Sequence, residues 1–346
     1  EGSDELDEVF FHGRFLLRKN LSVFRGAETK NWGFAMQKIC VRGQRFASAK
    51  ENHPIMNQTT FPEFEKIREF VRERYGAIAE QAGADCGCGP ACCTDEAPAK
   101  TKATSGCCAA TCCGGEKSYG EKLGYSAEEL AAAPAGADLG LGCGNPLAIA
   151  SIKPGETVLD LGSGAGFDCF LAARQLAGTG RVIGVDMTAA MVTKARANAV
   201  KGGYQNPPQP GRTSVEFRLG EIEALPVADA SVDLIISNCA INLAPEKARV
   251  LHEAFRVLKP AGRLAIADSV ATRPLPVELR AKLRAVGACV GGAAHVDKLR
   301  AMLAEAGFTR VEIKTREASR ALINQWTEDE GAGEFVVSAL VTAYKP

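Results

Sequence analysis

The 346-residue chain has little histidine and no net charge. It contains four histidines, His12, His53, His252 and His295, and no H-E-x-x-H motif, which excludes a zinc hydrolase of that type. Lys plus Arg and Asp plus Glu both number 41, so the chain lacks the overall basic charge typical of nucleic-acid binders. No apolar run approaches the roughly 18 residues that a membrane helix needs. We therefore expect a soluble protein with neither nucleic acid nor membrane as a partner.

Cysteine is the unusual component of the composition. Thirteen is an odd number, and the opening residues lack the charged start and apolar core of a secretion signal, so we expect reduced thiols in a cytoplasmic protein. Eight cysteines lie in one stretch, at Cys86, Cys88, Cys92, Cys93, Cys107, Cys108, Cys112 and Cys113. Adjacent pairs are not zinc-finger spacing, and thiolates without histidine favour soft ions. The alternative is a Cys-rich tail with no ordered role.

Changes in composition divide the chain into five segments, namely residues 1–60, 61–81, 82–118, 119–270 and 271–346. The first segment has no sustained period, and we expect it to be poorly ordered. In the second, Phe64, Ile67, Phe70, Val71 and Ile78 recur at three- and four-residue steps, which predicts an amphipathic helix. The third segment is rich in Gly, Ala, Cys, Thr and Pro, which is typical of a linker.

Apolar runs of strand length alternate with helical patterns in the last two segments. The predicted strands are 157–161, 182–185, 215–218, 232–237, 264–267, 311–314 and 335–344. The predicted helices are 167–176, 189–200, 246–258, 277–286 and 295–306. Such alternation is typical of an α/β fold with a doubly wound, mostly parallel sheet. We expect residues 271–346 to complete this sheet as an α+β extension.

A glycine-rich turn follows the first predicted strand. Residues 162–166 read G-S-G-A-G, Asp160 stands two residues before them, and Asp186 ends the second strand. The third glycine comes one residue early for the dinucleotide fingerprint, and no Lys-Ser or Lys-Thr follows as in a P-loop. Asp160 suits a cationic ligand, and Asp186 is placed to accept hydrogen bonds from ribose hydroxyls. This pattern resembles the Rossmann-like methyltransferases that use S-adenosylmethionine.

Three isolated cysteines lie near the predicted carboxyl edge of the sheet. Cys143 precedes the first strand, Cys239 follows the fourth strand and Cys289 comes after the fifth. Because ligands of open α/β sheets bind beyond the carboxyl ends of the strands, these three segments can converge over one pocket. A single cysteine is more often a small buried hydrophobe, and we assign that role to Cys169.

Taken with their flanks, these segments resemble the arsenite methyltransferases. The likeness extends over about 125–314 and includes G-A-G-F-D-C-F at 164–170, G-V-D-M-T at 184–188 and S-N-C-A-I-N-L at 237–243. It implies that Cys143, Cys239 and Cys289 hold arsenic. It also implies a site for S-adenosylmethionine formed by Asp160, Gly162, Gly164, Asp186, Met187, Ile222, Glu223 and Asn238. Leu141 stands where some members of the family carry Tyr.

The resemblance further implies a mechanism and partners. Arsenic held by thiolates keeps a lone pair and is itself the nucleophile, so no general base is required. The substrate would be arsenite or its thiol conjugates. Residues 119–270 would form the domain that binds S-adenosylmethionine, and residues 271–346 a C-terminal region that contributes to the arsenic site and completes the sheet. Because methylation formally oxidises arsenic, thioredoxin or glutathione would return electrons, with the cysteine pairs of 86–113 as candidates for the relay. We expect a monomer.

Two other functions fit parts of the sequence. A small-molecule C- or O-methyltransferase of the quinone-biosynthesis type shares the glycine loop and the sheet, but it needs a base and has no use for the three isolated cysteines together. A Cys-rich soft-metal-binding protein would use residues 86–113 without catalysis. Loss of activity on mutating each isolated cysteine would exclude the quinone-biosynthesis type of methyltransferase. Binding of S-adenosylmethionine would exclude the metal-binding protein.

Overall fold

The computed structural model describes residues 61–81, 118–326 and 331–346. The predictions for the N-terminal segment, for the linker as far as residue 117 and for the eight clustered cysteines lie outside these residues. No helix in the described part of the chain is both long enough and apolar enough to cross a membrane.

Seven strands of the described residues form one sheet. They are β1 (Thr157–Leu161), β2 (Arg181–Asp186), β3 (Ser214–Leu219), β4 (Val232–Asn238), β5 (Leu258–Ala271), β6 (Thr309–Arg316) and β7 (Val336–Tyr344). Their order across the sheet is β3-β2-β1-β4-β5-β7-β6. All pairings among strands β1 to β5 are parallel, whereas β7 runs antiparallel to β5 and to β6. The prediction of a mostly parallel α/β sheet is confirmed.

Helices connect these strands and cover the sheet. They are α1 (Phe61–Gln81), α2 (Tyr119–Leu123), α3 (Ala127–Ala132), α4 (Leu147–Ala150), α5 (Phe167–Gln175), α6 (Ala189–Gly202), α7 (Lys247–Val257), α8 (Val277–Ala281), α9 (Leu283–Gly287), α10 (Val296–Glu305), α11 (Arg320–Ile323) and α12 (Ala332–Phe335). The predicted helix over 277–286 is divided at Lys282, whose backbone is extended between α8 and α9. The turn so formed leads into the segment of Cys289.

The core lies on both faces of the sheet because successive strand residues point to opposite sides. Val158 of β1 packs with α5 and α6, whereas its neighbour Leu159 packs in a second cluster with α7 and α10. Every residue of β1 is buried, as expected for a parallel strand covered on both faces. Strand β6 lies at one edge of the sheet, opposite the β3 edge, and its residues are exposed or half-buried.

Strand β5 extends beyond its predicted range of 264–267. It begins at Leu258, directly after α7, and continues to Ala271. The added length is stabilised by β7, which pairs with β5 from Arg263 to Ala271. Residues beyond Ala267 carry polar side chains, Asp268 and Ser269, that broke the apolar pattern used for the prediction. The longer strand carries these two polar residues just beyond Ala267, which pairs with Asn238 at the end of β4.

Candidate active site

A cavity of about 1030 Å³, open to solvent, lies beyond the carboxyl ends of β1, β2 and β4. The strand order reverses between β1 and β4, and such a switch point is the usual ligand-binding crevice of an open α/β sheet. The structure places on its lining all eight residues that the sequence assigns to the cofactor: Asp160, Gly162, Gly164, Asp186, Met187, Ile222, Glu223 and Asn238.

The glycine loop forms the floor of this cavity. Gly162, Gly164 and Gly166 all have positive φ angles, a conformation that glycine adopts without steric cost. A side chain at Gly162 would also collide with the Cβ of Ala240. The carboxylate of Asp186 accepts hydrogen bonds from the backbone N–H of Gly164, at 2.9 Å, and of Thr188, at 2.8 Å. Asp186 therefore connects the loop after β1 to the end of β2.

Two further carboxylates are buried beside the loop. Asp160 is 2% exposed, and burial raises its pKa well above the usual value, with a further contribution from the charge of Asp168. Burial also raises the pKa of Asp168 to about 6, although its hydrogen bonds lower it. Asp168 accepts hydrogen bonds from the Tyr125 hydroxyl, at 2.6 Å, and from the Asn238 amide, at 3.2 Å. A cationic ligand would favour the charged form of both carboxylates.

Helix α1 forms a wall of the cavity through Arg68, Val71 and Tyr75. The Arg68 guanidinium donates hydrogen bonds of 3.2 Å to Glu223 and to Glu246. No sequence motif marks Arg68 as a functional residue. Its position does indicate a role, because a cation on the apolar face of an amphipathic helix needs a buried polar partner.

The structure brings Cys143, Cys239 and Cys289 together in one buried cluster. They are 2%, 8% and 4% exposed, and Cys239 also lines the cavity. The Sγ of Cys289 donates a hydrogen bond of 3.1 Å to the carbonyl oxygen of Cys239. Burial raises the pKa of the Cys289 thiol above its usual range, and the charge of Asp268 raises it further. Both Cys239 and Cys289 have positive φ angles, a costly backbone conformation that is often associated with functional sites.

Cys143 and Cys239 are joined by a disulfide, whereas the composition predicts reduced thiols. Their Cα atoms lie 5.8 Å apart, within the normal range for such a bond. The two residues are 96 positions apart in the sequence, so only the tertiary structure reveals their proximity. Cys169 lies outside this cluster, fully buried on α5, with its Sγ donating to Asp160 at 3.3 Å.

Asn238 holds the segment of Cys143 against the end of β4. Its amide oxygen accepts a hydrogen bond of 3.0 Å from the Cys143 N–H, and its amide nitrogen donates to the Gly144 carbonyl at 2.8 Å. The same nitrogen lies 3.0 Å from the Tyr125 hydroxyl. Asn238 thus contacts both the segment of Cys143 and the buried carboxylate of Asp168 at the cavity lining.

A second polar cluster contacts the loop that carries Cys239, and no sequence motif predicted it. Asp268 is buried, and burial raises its pKa to about 6. Hydrogen bonds from backbone N–H groups act in the opposite direction and lower this pKa. Asn242 donates to Asp268 at 2.8 Å and to the Ser269 hydroxyl at 2.9 Å, and that hydroxyl donates to the Cys289 carbonyl. The cluster therefore links the loops of Cys239 and Cys289.

Comparison with known proteins shows which family this chain resembles. A family model described as a methyltransferase domain matches residues 152–307. An arsenite methyltransferase of Halobacterium salinarum is 51% identical over 282 residues, which are 82% of this chain and 67% of that protein. The arsenite methyltransferase of Aquipseudomonas alcaligenes is 42% identical over 49% of this chain and 48% of its own length. For the human arsenite methyltransferase, the identity is 38% over 44% of this chain and 40% of that protein.

A solved structure shows the same likeness. It is the crystal structure of CrArsM, an arsenic (III) S-adenosylmethionine methyltransferase from Chlamydomonas reinhardtii. The two chains are 31% identical with a TM-score of 0.50, and the match covers 67% of this chain and 75% of that one.

Proposed function

Because the chain belongs to the arsenite methyltransferases, a family of S-adenosylmethionine-dependent enzymes with the class I methyltransferase fold, we propose that Cys143, Cys239 and Cys289 hold the arsenic that it methylates. One observation carries this assignment. Three cysteines from segments far apart in sequence meet in one buried cluster, and Cys239 of that cluster lines the cavity of the glycine loop. Three thiolates suit trivalent arsenic, which is a soft ion.

The cavity fits S-adenosylmethionine by its chemistry. The sulfonium and ammonium groups of the cofactor are cationic, and Asp160 and Asp168 are buried carboxylates at the cavity lining. Asp186 stands where ribose hydroxyls find an acceptor. The Ser163 hydroxyl oxygen, also on the lining, is buried without a hydrogen-bond partner in the described residues, which leaves a polar group for a ligand to satisfy. When bound, the cofactor supplies an electrophilic methyl group.

The residues of the chain act mainly by positioning. The cysteines remove arsenic from water and direct its lone pair toward the cavity, and a lone pair needs no general base. The buried surroundings of the cysteine cluster exclude water from the transfer. Helix α1 and the glycine loop both contribute to the lining of the cofactor cavity, where they would orient the methyl donor.

Electrons must also be supplied. Methyl transfer formally raises the oxidation state of arsenic by two, and conversion of two thiols to a disulfide returns two electrons to it. The Cys143–Cys239 disulfide must likewise be reduced before three thiolates are available. Thioredoxin or glutathione would then reduce the disulfide so formed, and the Cys143–Cys239 disulfide, by thiol–disulfide exchange, with the cysteine pairs of residues 86–113 as a relay.

Serine substitutions test the arsenic site. We expect Cys239→Ser and Cys289→Ser to abolish methylation of both arsenite and methylarsenite, because a hydroxyl is a hard and poor ligand for arsenic. Cys143→Ser should abolish activity on arsenite and reduce it less on methylarsenite, which has one fewer position for a thiolate. The measurement is separation of arsenic species after incubation with cofactor and excess thiol.

Cys169→Ser is the matched control, because it makes the same substitution at a buried cysteine outside the cluster. It should leave the stoichiometry of arsenic binding unchanged. Full activity of Cys239→Ser on either substrate would overturn the assignment of the arsenic site. Such a result would leave the family membership in place and return the choice of ligands to other cysteines.

A further inference from the structure

Asp268 is a buried charge beside the arsenic site that the proposed function does not use. It is 4% exposed, and one of its carboxylate oxygens lies within 4.8 Å of the Sγ atoms of both Cys143 and Cys239. Arsenic bonded to those sulfurs would therefore lie close to the carboxylate. Buried carboxylates are costly, so their position next to a reacting centre requires a physical reason.

The carboxylate is not free to act as a ligand or as a base. Its Oδ2 accepts hydrogen bonds from the backbone N–H of Ile241, at 3.1 Å, and of Asn242, at 3.3 Å. Its Oδ1 accepts from the Asn242 side chain and from the Ser269 N–H, both at 2.8 Å. These four donors occupy the roughly four lone-pair positions of a carboxylate. They also favour its charged form.

The charge of Lys247 lowers the pKa of Asp268, but within the described residues the hydrogen bonds of the Lys247 Nζ go to backbone carbonyls and not to this carboxylate. The Nζ donates to the carbonyl oxygens of Asn242, at 3.2 Å, and Ala244, at 2.8 Å. The negative charge is thus held by N–H dipoles and remains uncompensated by a bonded counter-ion. A charge fixed in this way in a buried site interacts strongly with charges that develop nearby.

Methyl transfer moves a positive charge toward this carboxylate. Trivalent arsenic bound to three thiolates is neutral, and the methyl donor is a sulfonium. The carbon–sulfur bond breaks with its electron pair left on the donor sulfur, the arsenic lone pair forms the arsenic–carbon bond, and no proton moves. The positive charge passes from the donor sulfur to arsenic.

We propose that Asp268 stabilises the positive charge that develops on arsenic during methyl transfer. The inference rests on the proposed function, because it requires arsenic on Cys143 and Cys239. Preorganised charge aimed at the transition state accelerates a reaction without tightening the binding of the neutral ground state. Asp268 should accordingly affect the rate of transfer and not the affinity for trivalent arsenic.

Asp268→Asn removes the charge and changes the shape little. We expect the single-turnover rate of methyl transfer, at saturating arsenite and cofactor, to fall about 100-fold. The dissociation constant of arsenite, followed by the ultraviolet absorption of arsenic–thiolate bonds, should stay within about threefold of the wild type, a difference under about 0.7 kcal/mol. An unchanged rate, or a rate and an affinity that fall together, would overturn the proposal.

Two further variants distinguish the effect of the Asp268 charge from the effect of its hydrogen bonds on the loops of Cys239 and Cys289. Ser269→Ala breaks the same hydrogen-bond cluster but keeps the Asp268 charge, and it should slow transfer far less than Asp268→Asn. Lys247→Met removes the nearby positive charge, so the transfer rate should rise or stay the same. This second variant keeps the proposal testable if Asp268→Asn does not fold. An equal loss in Ser269→Ala, or a tenfold slower Lys247→Met enzyme that still binds arsenite, would contradict it.

The binding measurement also separates this proposal from the assignment of the arsenic site. If the reduced wild-type protein gives no arsenic–thiolate absorption, or if Cys239→Ser gives the full signal, the arsenic-site assignment fails. If the wild type binds arsenite at the cluster and Asp268→Asn transfers methyl at the wild-type rate, only the role of Asp268 fails.

Discussion

At the scale of single residues, the cofactor cavity is defined by buried acids. Asp160, Asp168 and Asp186 line it, and burial raises the pKa of each. A carboxylate whose pKa is raised by burial is held partly protonated in the free protein and ionises when a cation arrives. Binding of a sulfonium ligand should therefore be coupled to proton release.

We expect S-adenosylmethionine binding to release protons near pH 6, the value to which the pKa of Asp168 is raised. The cationic ligand lowers the carboxyl pKa values, so the complex holds fewer protons than the free protein, and affinity rises as pH increases through this region. Calorimetric titrations in two buffers with different ionisation enthalpies measure the number released. Asp168→Asn should release fewer protons. Equal heats in both buffers would show that these acids are already ionised.

At the scale of elements, helix α1 forms one wall of the cavity. The helix contributes Arg68, Val71 and Tyr75 to the lining, and the Tyr75 hydroxyl donates to the Gly287 carbonyl at 3.3 Å. Arg68 joins α1 to Glu223, which follows β3, and to Glu246, which precedes α7. Because Glu223 is almost fully buried, loss of this ion pair would leave a buried polar group without its partner. The same helix thus touches the cofactor cavity and the element that leads to Cys289.

Removing the charge of Arg68 should weaken this wall. We expect Arg68→Met to raise the dissociation constant of S-adenosylmethionine about tenfold, equivalent to about 1.4 kcal/mol, because a buried Glu223 loses its partner. Isothermal calorimetry measures the change. Lys66→Met is the control, since it removes the same charge from an exposed position on the same helix. If both variants bind the cofactor as the wild type does, α1 is not an energetic part of the site.

At the scale of the whole molecule, the described elements that build the cavity and the cysteine cluster all lie after residue 60. Residues 56–346 form the second of two units of the chain. The described part of this unit contains the seven-stranded sheet, its hydrophobic core and the residues that we propose for the arsenic and cofactor sites.

A chain that begins at Met56 should keep the melting temperature and the cofactor affinity of the full-length protein. The physical reason is that a unit with its own core does not depend on a neighbouring segment for its stability. Thermal unfolding and calorimetry, each with and without cofactor, test this expectation. A large fall in melting temperature after deletion would show that residues 1–55 contribute to the stability of the second unit.

The sequence alone determined the local parts of the site. The strand at 157–161, the glycine turn after it and Asp186 at the end of the next strand were predictable, because an apolar run, a glycine pattern and a following acid depend only on neighbouring residues. Cys143, Cys239 and Cys289 were singled out in the same way, with their role supplied by the resemblance to a family. In the structure these residues lie at one end of the sheet.

The tertiary structure alone determined the contacts between these local parts and distant segments of the chain. The disulfide of Cys143 and Cys239, the bond from Arg68 to Glu223 and the place of Asp268 beside two sulfurs all join segments separated by many residues. The antiparallel β7 pairs with β5 as far as Ala271, and the added length of β5 carries Asp268 and Ser269. A periodic pattern predicts which face of an element is buried, but it contains no information about which distant element covers that face. Long-range packing alone made these polar residues part of the site.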